Sequence, residues 1–267
     1  MKGKVVIITG GSSGIGRALA FEFGLHGARL MITGRNGFNL EKTVAELQNK
    51  GIEVVGFRGD VGIEEDNERM AREAIDRYGT IDVLINNAGI SMRALFEEAD
   101  VDVVKKVMNT NFFGMVYATK HCMPEIVKNK GSIIGISSIA GYRGLPGRTG
   151  YSASKFALNG FLEALRLELA PTGTHVLTAC PGFTSTNIRI RALTKNGNTQ
   201  GESPREEGNM MSAEECAQYI YAATVKRKRT LVLTTQGKLA VFMNRWLPGL
   251  ADRVVFNFMS KEPNSPF

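Results

Sequence analysis

The 267-residue sequence is poor in the residues that build disulfide frameworks and metal sites. Its three cysteines, Cys122, Cys180 and Cys216, are far apart and odd in number, so we expect reduced thiols in a cytosolic setting. None of them stands beside a histidine in a nucleophile pattern, and the three histidines show no ligand spacing. The sequence therefore predicts neither a metal centre nor a catalytic cysteine.

Long hydrophobic runs are also missing. No stretch approaches the roughly 18 uninterrupted apolar residues that a membrane-spanning helix needs. The apolar run behind the N-terminal MKGK is too short for a signal peptide. We therefore expect a cytoplasmic protein, and peripheral contact with a membrane stays open at this point.

Acidic residues are outnumbered, with 26 Asp and Glu against 33 Lys and Arg, and the net charge is +7. Such a charge is compatible with nucleic acid, a membrane surface or an anionic small molecule. The densest basic run, KRKR at 226–229, has no interleaved aromatic residues and no recognisable nucleic-acid motif. We interpret it as a solvated helix end or loop and expect no nucleic-acid partner.

What the sequence does contain is a regular alternation of apolar runs with helical patterns. Near-continuous apolar runs are typical of strands that are covered on both faces, as in a parallel sheet. Strand–helix alternation predicts right-handed βαβ units in an α/β, doubly wound parallel sheet with about seven strands and helices on both faces. The predicted strands are residues 5–9, 29–33, 53–57, 82–86, 132–137, 175–180 and 230–234.

Two regions interrupt this alternation. Residues 194–209 are polar and rich in Gly and Asn, which predicts a mobile loop within a substrate-loop region at about 186–212. Beyond the last strand, six apolar residues recur at helical spacing and predict one amphipathic helix. These are Leu239, Phe242, Met243, Trp246, Leu247 and Leu250. We expect one domain over 1–235, with an extension at 236–267 packed on it.

The first predicted strand runs directly into a glycine-rich stretch, TGGSSGIG at 9–16, and a helix pattern follows. Glycines permit a tight turn and let backbone amides approach a pyrophosphate at the positive end of a helix. The spacing G-x-x-x-G-x-G differs from the common dinucleotide fingerprint, so an ordinary glycine turn is the alternative. The candidate phosphate-binding residues are Gly10, Ser12, Ser13, Gly14, Ile15 and Gly16.

Four motifs occur in a fixed order along the chain, and together they are a much more specific signal than any one of them. They are TGGSSGIG at 9–16, NNAG at 86–89, YSASK at 151–155 and Pro181-Gly182. Their sequence, order and spacing over residues 3–235 resemble the short-chain dehydrogenase/reductase family. The resemblance implies a single-domain Rossmann-type fold, a nicotinamide cofactor and reversible hydride transfer to a small-molecule carbonyl.

The resemblance also implies roles for four side chains. Tyr151 would transfer the proton, Ser138 would hold the substrate oxygen, Lys155 would bond the nicotinamide ribose, and Asn111 would help hold a water-linked proton relay. Tyr151 and Lys155 are four residues apart, on one helical face. The ammonium and the positive nicotinamide ring are together expected to lower the phenol pKa. By themselves, Ser138 can equally be a strand-end hydroxyl and Asn111 a polar residue bonded to backbone.

Further cofactor contacts follow from the same resemblance. Asp60 and Val61 resemble an adenine-contacting pair, although Asp60 can equally cap the next helix. The remaining contacts implied are Asn87, Ala88, Gly89, Pro181, Gly182, Thr184 and Thr186. The choice among Thr184, Ser185 and Thr186 stays open, because several hydroxyl residues crowd that loop.

Cofactor choice depends on the end of the second predicted strand. An acidic residue there would bind a ribose 2′-hydroxyl and favour NAD. The sequence has Thr33-Gly34-Arg35-Asn36, with no carboxylate. An arginine suits a 2′-phosphate because it forms bidentate, charge-assisted hydrogen bonds. We predict NADP(H) rather than NAD(H), with a solvated Arg35 as the alternative.

The substrate region carries less information. Met92, Leu145, Phe183, Ile188 and Ile190 flank the catalytic positions and suggest an apolar cleft, although each can equally be core. The YSASKFAL and NAGIS segments most resemble the branch of 11β-hydroxysteroid dehydrogenases and 3-ketosphinganine reductases. That resemblance implies a lipophilic carbonyl substrate.

Other assignments remain open. The resemblance implies a homodimer or homotetramer formed through helices around 103–128 and 151–170. The C-terminal amphipathic segment can contact a membrane, a second subunit or the cleft. A non-catalytic NADP(H)-binding sensor of the same fold is the alternative function, although such a protein is expected to lose Tyr151 or Lys155, and both are present.

Overall fold

The computed structural model describes residues 1–205, 208 and 210–266. Seven strands form one parallel sheet in the order β3-β2-β1-β4-β5-β6-β7. Every predicted apolar run is a strand, and the ends agree within two residues. The strands are β1 Val5–Ile8, β2 Arg29–Gly34, β3 Val54–Arg58, β4 Val83–Asn86, β5 Ser132–Ile136, β6 His175–Cys180 and β7 Thr230–Val232.

Helices cover both faces of this sheet, as predicted. Within the described residues they are α1 Gly14–Leu25, α2 Gly37–Gln48, α3 Glu64–Tyr78, α4 Val101–Met108, α5 Gly114–Lys128, α6 Thr149–Glu168, α7 Ala213–Val225, α8 Thr235–Trp246 and α9 Pro248–Met259. A five-residue π-helix, Asn109–Phe113, joins α4 to α5. Helices α1, α2 and α7 pack on one face, and α3, α5 and α6 pack on the other. The apolar strands are buried because both faces are covered.

The direction of strand order reverses between β1 and β4, which opens a crevice at the carboxyl ends of these strands. Thr9 follows β1 and joins the two strand ends. Its hydroxyl accepts hydrogen bonds from the Asn87 amide at 3.0 Å and the Ala88 amide at 3.1 Å. The Asn87 side chain donates back to the Thr9 carbonyl at 2.9 Å. These bonds fix the floor of the crevice.

The C-terminal extension differs from its prediction. One continuous amphipathic helix was expected, but α8 ends at Trp246 and α9 begins at Pro248. Leu247 leaves the helical region with φ −136° and ψ 55°, because the residue before a proline is disfavoured there. Leu250 therefore lies on the second helix. Much of the apolar stripe is solvent-exposed, and Trp246 retains 64% of its accessible surface.

Polar contacts attach these helices to the body of the protein. The Asn244 amide on α8 donates to the Tyr142 carbonyl at 2.8 Å. Arg143 donates to Asn244 at 3.0 Å and forms an ion pair with Asp252 on α9. In the part of the chain that the structure describes, no helix combines the length and apolar character needed to cross a bilayer.

The two polar segments of the sequence lie outside strands and helices. KRKR at 226–229 is exposed in the connection between α7 and β7, in agreement with its interpretation as a solvated loop. The predicted mobile loop at 194–209 has no regular element through residue 205. Its positions 206, 207 and 209 lie outside the described residues. Ser212 then caps α7, because its hydroxyl accepts a hydrogen bond from the Glu215 amide at 3.0 Å.

Candidate active site

A cleft of about 820 Å³ opens at the carboxyl ends of the strands. It begins at the glycine-rich loop, crosses the ends of β4 and β5 and continues beneath α8 and α9. Ser138, Tyr151 and Lys155 line it. Ser138 stands two residues beyond β5, and the other two project from the first turns of α6. Three of the four predicted catalytic side chains therefore share one wall.

Tyr151 lies deep in this wall beside the Ser138 hydroxyl. Burial raises the pKa of Tyr151 above its ordinary value, while the hydrogen bond with Ser138 and the positive charges of Arg148 and Arg189 act in the opposite direction. In the ligand-free protein this pKa is not lowered, because desolvation of the phenolate outweighs the favourable charges, and the expected lowering also depended on a nicotinamide ring. The phenol is therefore protonated at neutral pH.

Lys155 is nearly inaccessible, with 4% of its surface exposed. Its ammonium donates to the Ile136 carbonyl at 2.8 Å and lies 5.8 Å from the centroid of the Tyr151 ring. Burial lowers the pKa of Lys155 to about 8. The side chain is thus held against β5 by backbone, on the same helical face as Tyr151.

Asn111 lies in the π-helix, an element often found at functional sites. Its side chain accepts a hydrogen bond from the Ile90 amide at 2.8 Å and donates to the Ile90 carbonyl and the Ser154 hydroxyl, each at 2.9 Å. A Cβ built on Gly89 would lie 3.3 Å from Asn111 Oδ1 and 3.7 Å from Lys155 Nζ. Asn111 is therefore close to Lys155, but its amide holds the loop after β4.

The glycine-rich loop has the shape that its spacing predicts. Gly14 begins α1 with φ +53°, a conformation that other residues rarely adopt. A Cβ on Gly16 would stand 2.2 Å from the Gly10 carbonyl oxygen, so the loop closes tightly onto the helix. Ser13 is the N-cap but makes no side-chain capping bond. The first amides of α1 therefore face the cleft without a capping side chain, which fits an anionic pyrophosphate.

Most of the other predicted cofactor residues also border this part of the cleft. Those lining it are Gly10, Ser12, Ser13, Gly14, Ile15, Arg35, Asp60, Val61, Asn87, Ala88, Gly89, Pro181, Gly182, Thr184 and Thr186. Gly16 lies behind the loop and faces Asn87. Sequence reasoning missed Asn36 and Asn39, which line the same end.

Arg35 and Asp60 meet at the far end of the cleft, with 3.5 Å between Arg35 Nη1 and Asp60 Oδ2. The Asp60 carboxylate also accepts a hydrogen bond from the Gly62 amide at 2.9 Å. Helix α3 begins only at Glu64, so Asp60 shapes the loop before it and does not cap the helix. Arg35 is largely exposed and reaches into the cleft mouth.

The hydroxyl-rich loop after β6 contributes Thr184 and Thr186 to the lining, and Ser185 is not among the lining residues described. Thr186 packs directly over the glycine loop, since a Cβ on Gly14 would lie 3.3 Å from its methyl group. The Thr184 hydroxyl donates to the Gly182 carbonyl at 3.3 Å. Of the three hydroxyl residues, Thr186 is therefore nearest to the predicted phosphate position.

The substrate end of the cleft is partly as predicted. Leu145, Phe183 and Ile188 line it. For Met92 the alternative holds, since it is fully buried in a separate core cluster with residues of α4. Ile190 is also absent from the lining within the described residues.

Several cleft residues were not anticipated from the sequence. They include Val255 and Phe258 of α9 and the arginines Arg148, Arg189 and Arg205. Met243 of α8 also lines the cleft, in agreement with one of the alternatives for the amphipathic segment. Arg148 had a usable signal, because it precedes Tyr151 by three residues and such spacing places both on one helical face. The apolar residues of α9 had no comparable signal, since an apolar pattern does not specify its partner.

The chain is similar to known proteins over nearly its whole length. A family model for short chain dehydrogenase matches residues 4–197. The mouse protein Dehydrogenase/reductase SDR family member 7B is 37% identical over 273 residues, which cover 99% of this chain and 84% of the mouse protein. The Arabidopsis thaliana protein 11-beta-hydroxysteroid dehydrogenase-like 4A is 36% identical over 265 residues, covering 96% of this chain and 84% of its own.

Two solved structures share the fold. A short chain dehydrogenase/reductase from Burkholderia phymatum in complex with NAD superposes with a TM-score of 0.83 at 24% identity, covering 93% of this chain and 95% of its own. An alcohol dehydrogenase from Thermococcus sibiricus complexed with 5-hydroxy-NADP gives 0.76 at 25% identity, covering 86% and 95%. Nucleotide complexes are thus known for both forms of the nicotinamide cofactor on this architecture.

Proposed function

Because the chain belongs to the short-chain dehydrogenase family, we propose that it is an NADP(H)-dependent oxidoreductase that interconverts a ketone and a secondary alcohol. The observation that carries the proposal is the position of Ser138, Tyr151 and Lys155 on one wall of a cleft that continues into the glycine-rich loop. A carbonyl group beside Tyr151 would lie in the same cleft as the nicotinamide end of a dinucleotide.

The residues present fit such a dinucleotide. The first amides of α1 and Thr186 would hold the pyrophosphate, Asp60 and Val61 would border the adenine, and Lys155 would bond the nicotinamide ribose. When bound, the cofactor supplies or accepts the hydride. The chain contributes orientation of both reactants and transfer of the proton.

In the direction of reduction, the Tyr151 hydroxyl donates its proton to the carbonyl oxygen of the substrate. Burial raises the pKa of Tyr151, so its hydroxyl is protonated and can donate this proton at neutral pH. Ser138 stands beside it and would donate a hydrogen bond to the same substrate oxygen. The Lys155 ammonium on the same helical face favours the phenolate that remains after transfer.

Tyr151→Phe tests this assignment, because it removes the proton donor and keeps the ring. NADPH oxidation is followed by absorbance on a panel of ketones until a substrate is verified. We expect Tyr151→Phe to lower kcat by about 10²- to 10⁴-fold while NADPH still binds. Tyr219→Phe, at an exposed position on α7, is the matched control and retains full activity. Substantial turnover by Tyr151→Phe would exclude the mechanism, and NADPH binding without turnover of any ketone would support the sensor instead.

The preference for NADP(H) rests on Arg35 and on the absence of a carboxylate from the four residues that end and follow β2. The guanidinium is partnered by Asp60 at 3.5 Å, so it is directed across the cleft mouth. A 2′-phosphate there would gain a charge-assisted hydrogen bond worth about 1.5 to 3 kcal/mol. Fluorescence titration of Arg35→Ala should raise the Kd for NADPH about tenfold or more and leave the Kd for NADH unchanged. An unchanged Kd for NADPH would refute the preference.

The proposed substrate is a lipophilic ketone. Leu145, Phe183 and Ile188 line the substrate end together with Met243 and Phe258 of the C-terminal helices. Such walls favour apolar surface on the ligand. A series of 2-alkanones of increasing chain length should therefore show rising kcat/KM, and a flat or falling series would exclude a lipophilic substrate.

We propose a homodimer or homotetramer as the functional assembly. Phe113, at the end of the π-helix, and Phe156 and Leu167 on α6 are exposed large apolar residues on the elements expected at the interface. Light scattering coupled to size exclusion should give a multiple of the 29.1 kDa chain mass. Phe156→Lys should reduce that multiple, whereas a monomeric wild-type protein would exclude the assembly.

Residues 236–267 are proposed to belong to the same domain as 1–235, supported by the contacts of Asn244 and Asp252 with the segment before α6. Their exposed apolar side chains, Phe242 and Trp246 among them, also suit a membrane surface, and a cytoplasmic, peripheral location is part of this proposal. Flotation with anionic vesicles should recover the wild type but not Phe242→Ser/Trp246→Ser. Equal partitioning of the two would end the membrane assignment.

A further inference from the structure

One carboxylate near the end of the chain, Glu262, is buried among three arginines. Only 2% of its side chain is exposed. Its Oε1 lies 2.7 Å from Arg205 Nη2 and accepts a second bond from Arg205 Nε at 2.7 Å. Its Oε2 accepts a hydrogen bond from Arg148 Nη2 at 2.7 Å and lies 3.6 Å from Arg93 Nε. Both carboxylate oxygens are therefore used.

The three arginines belong to three segments that surround the substrate end of the cleft. Arg93 lies in the loop after β4, Arg148 is the N-cap of α6, and Arg205 lies in the connection between β6 and α7. Arg148 and Arg205 line the cleft. Arg93 also donates to the Pro263 carbonyl at 2.7 Å, which ties the C-terminal segment to the first of these loops. Glu262 thus joins segments that are distant in sequence.

The Arg205 guanidinium also contacts two aromatic rings, which touch each other at 5.9 Å between their centroids. It lies 4.4 Å from the centroid of the Phe183 ring and 4.3 Å from that of Phe258. Phe183 follows β6, and Phe258 belongs to α9. Cation–π contacts of this kind are strongest when the cation is shielded from water. The Arg205 guanidinium therefore contacts both the segment after β6 and helix α9, while its edge is bonded to Glu262.

The negative charge of Glu262 contributes more to the stability of this cluster than any one of its hydrogen bonds. Three guanidinium groups that are at least four-fifths buried repel one another unless an anion stands between them. Removing one member of a buried ion network leaves uncompensated charge and costs more than an exposed pair does. Without Glu262, the favourable response is for the segments to separate and let water reach the arginines.

We propose that Glu262 is a positioning residue that closes the substrate cleft, by holding the loop after β4, the start of α6 and the β6–α7 connection against the C-terminal segment. The catalytic role of Glu262 rests on the proposed function, but closure of the cleft can be measured without turnover. By this proposal, the C-terminal segment forms part of the closed substrate cleft.

Hydrogen exchange measured by mass spectrometry on the NADPH-bound full chain tests the closure. Glu262→Gln keeps the size of the side chain and removes its charge. We expect amide exchange to accelerate about tenfold or more in residues 90–95 and 186–205, the factor that corresponds to a loss of ~1.4 kcal/mol of local stability. Residues 5–34, which contain the glycine-rich loop, should exchange as in the wild type. Lys261→Gln, at the exposed neighbouring position, is the matched control and should change neither region.

Arg205→Lys provides a second variant, which keeps the positive charge but loses the planar group that contacts the two rings. It should accelerate exchange in the same two segments, and the double variant Arg205→Lys/Glu262→Gln should add little to either single change. Wild-type exchange in both single variants would overturn the proposal, as would uniform acceleration over the whole chain, which indicates general destabilisation.

On a verified ketone, Glu262→Gln should raise KM about tenfold while kcat falls by less than about threefold, because Tyr151, Ser138 and Lys155 keep their positions. A fall in kcat with KM unchanged would also contradict the assignment. If no ketone is turned over, the exchange experiment still decides whether Glu262 closes the cleft, so failure of the two proposals can be told apart.

Discussion

Asn111→Ala is the substitution whose effect on stability is best defined by the structure. The side chain is 1% exposed and makes three hydrogen bonds, two with the backbone of Ile90 and one with the Ser154 hydroxyl. Alanine removes all three, leaving the Ser154 hydroxyl buried and the polar groups of Ile90 half-buried. At about 1 kcal/mol for each bond, the free energy of unfolding should fall by ~3 kcal/mol. For a chain of this size, the loss lowers Tm by roughly 6 to 12 °C.

Asn109→Ala is the matched control for this experiment. Asn109 lies in the same π-helix, but its single side-chain bond, to the Gly62 carbonyl at 3.0 Å, is exposed. The gain in helix propensity from alanine is common to both variants and cancels in the comparison. Thermal unfolding followed by circular dichroism should give a loss in Tm of roughly 2 to 4 °C or less for the control. Equal losses in the two variants would refute the reasoning that Asn111 anchors the loop after β4.

Gly16→Ala should abolish NADPH binding in a fluorescence titration, because its Cβ would stand 2.2 Å from the Gly10 carbonyl oxygen, whereas Gly160→Ala, with open space around the added methyl group, should bind normally. Unchanged binding by Gly16→Ala would contradict the described loop geometry. The ligand-free protein should gain stability relative to Lys155→Met as the pH rises from about 8 to 10.5. The reason is that the pKa of the buried Lys155 is lowered to about 8, so in this window the unfolded chain binds a proton that the folded chain does not. A difference in Tm that is independent of pH would exclude this burial effect. Asp82→Ala should cost about 1 to 3 kcal/mol in urea unfolding, since the carboxylate accepts a hydrogen bond from the first amide of β1 at 2.9 Å, and a cost near zero would show that water replaces it.

The sheet could be predicted because each strand is a short apolar run between polar or glycine-containing segments. Right-handed βαβ connections then limit the strand order, as the reversal between β1 and β4 illustrates. Roles for Tyr151 and Lys155 could be expected because four ordered motifs resemble one family, and the structure places both residues on α6. These features depend on local sequence, so a single chain was sufficient to infer them.

Features that depend on distant contacts were not accessible in this way. The direction of the Tyr151 pKa follows from burial, which only the packed structure reveals. Glu262 carries no local signal, because its three partners are contributed by other segments. The break between α8 and α9 was different, since Pro248 stood in the sequence and proline commonly begins a helix. Helical spacing on both sides of it favoured the wrong, continuous assignment.

The lone tryptophan of the chain has a practical consequence. Trp246 stands at the exposed end of α8, and the sequence contains no other tryptophan. Tryptophan fluorescence, excited selectively at the indole, therefore reports on the C-terminal surface and responds little to changes in the core of the sheet. A change in emission maximum or in quenching by iodide would record vesicle or subunit contact at that surface without any added label, and a core that unfolded beneath it would be seen only indirectly.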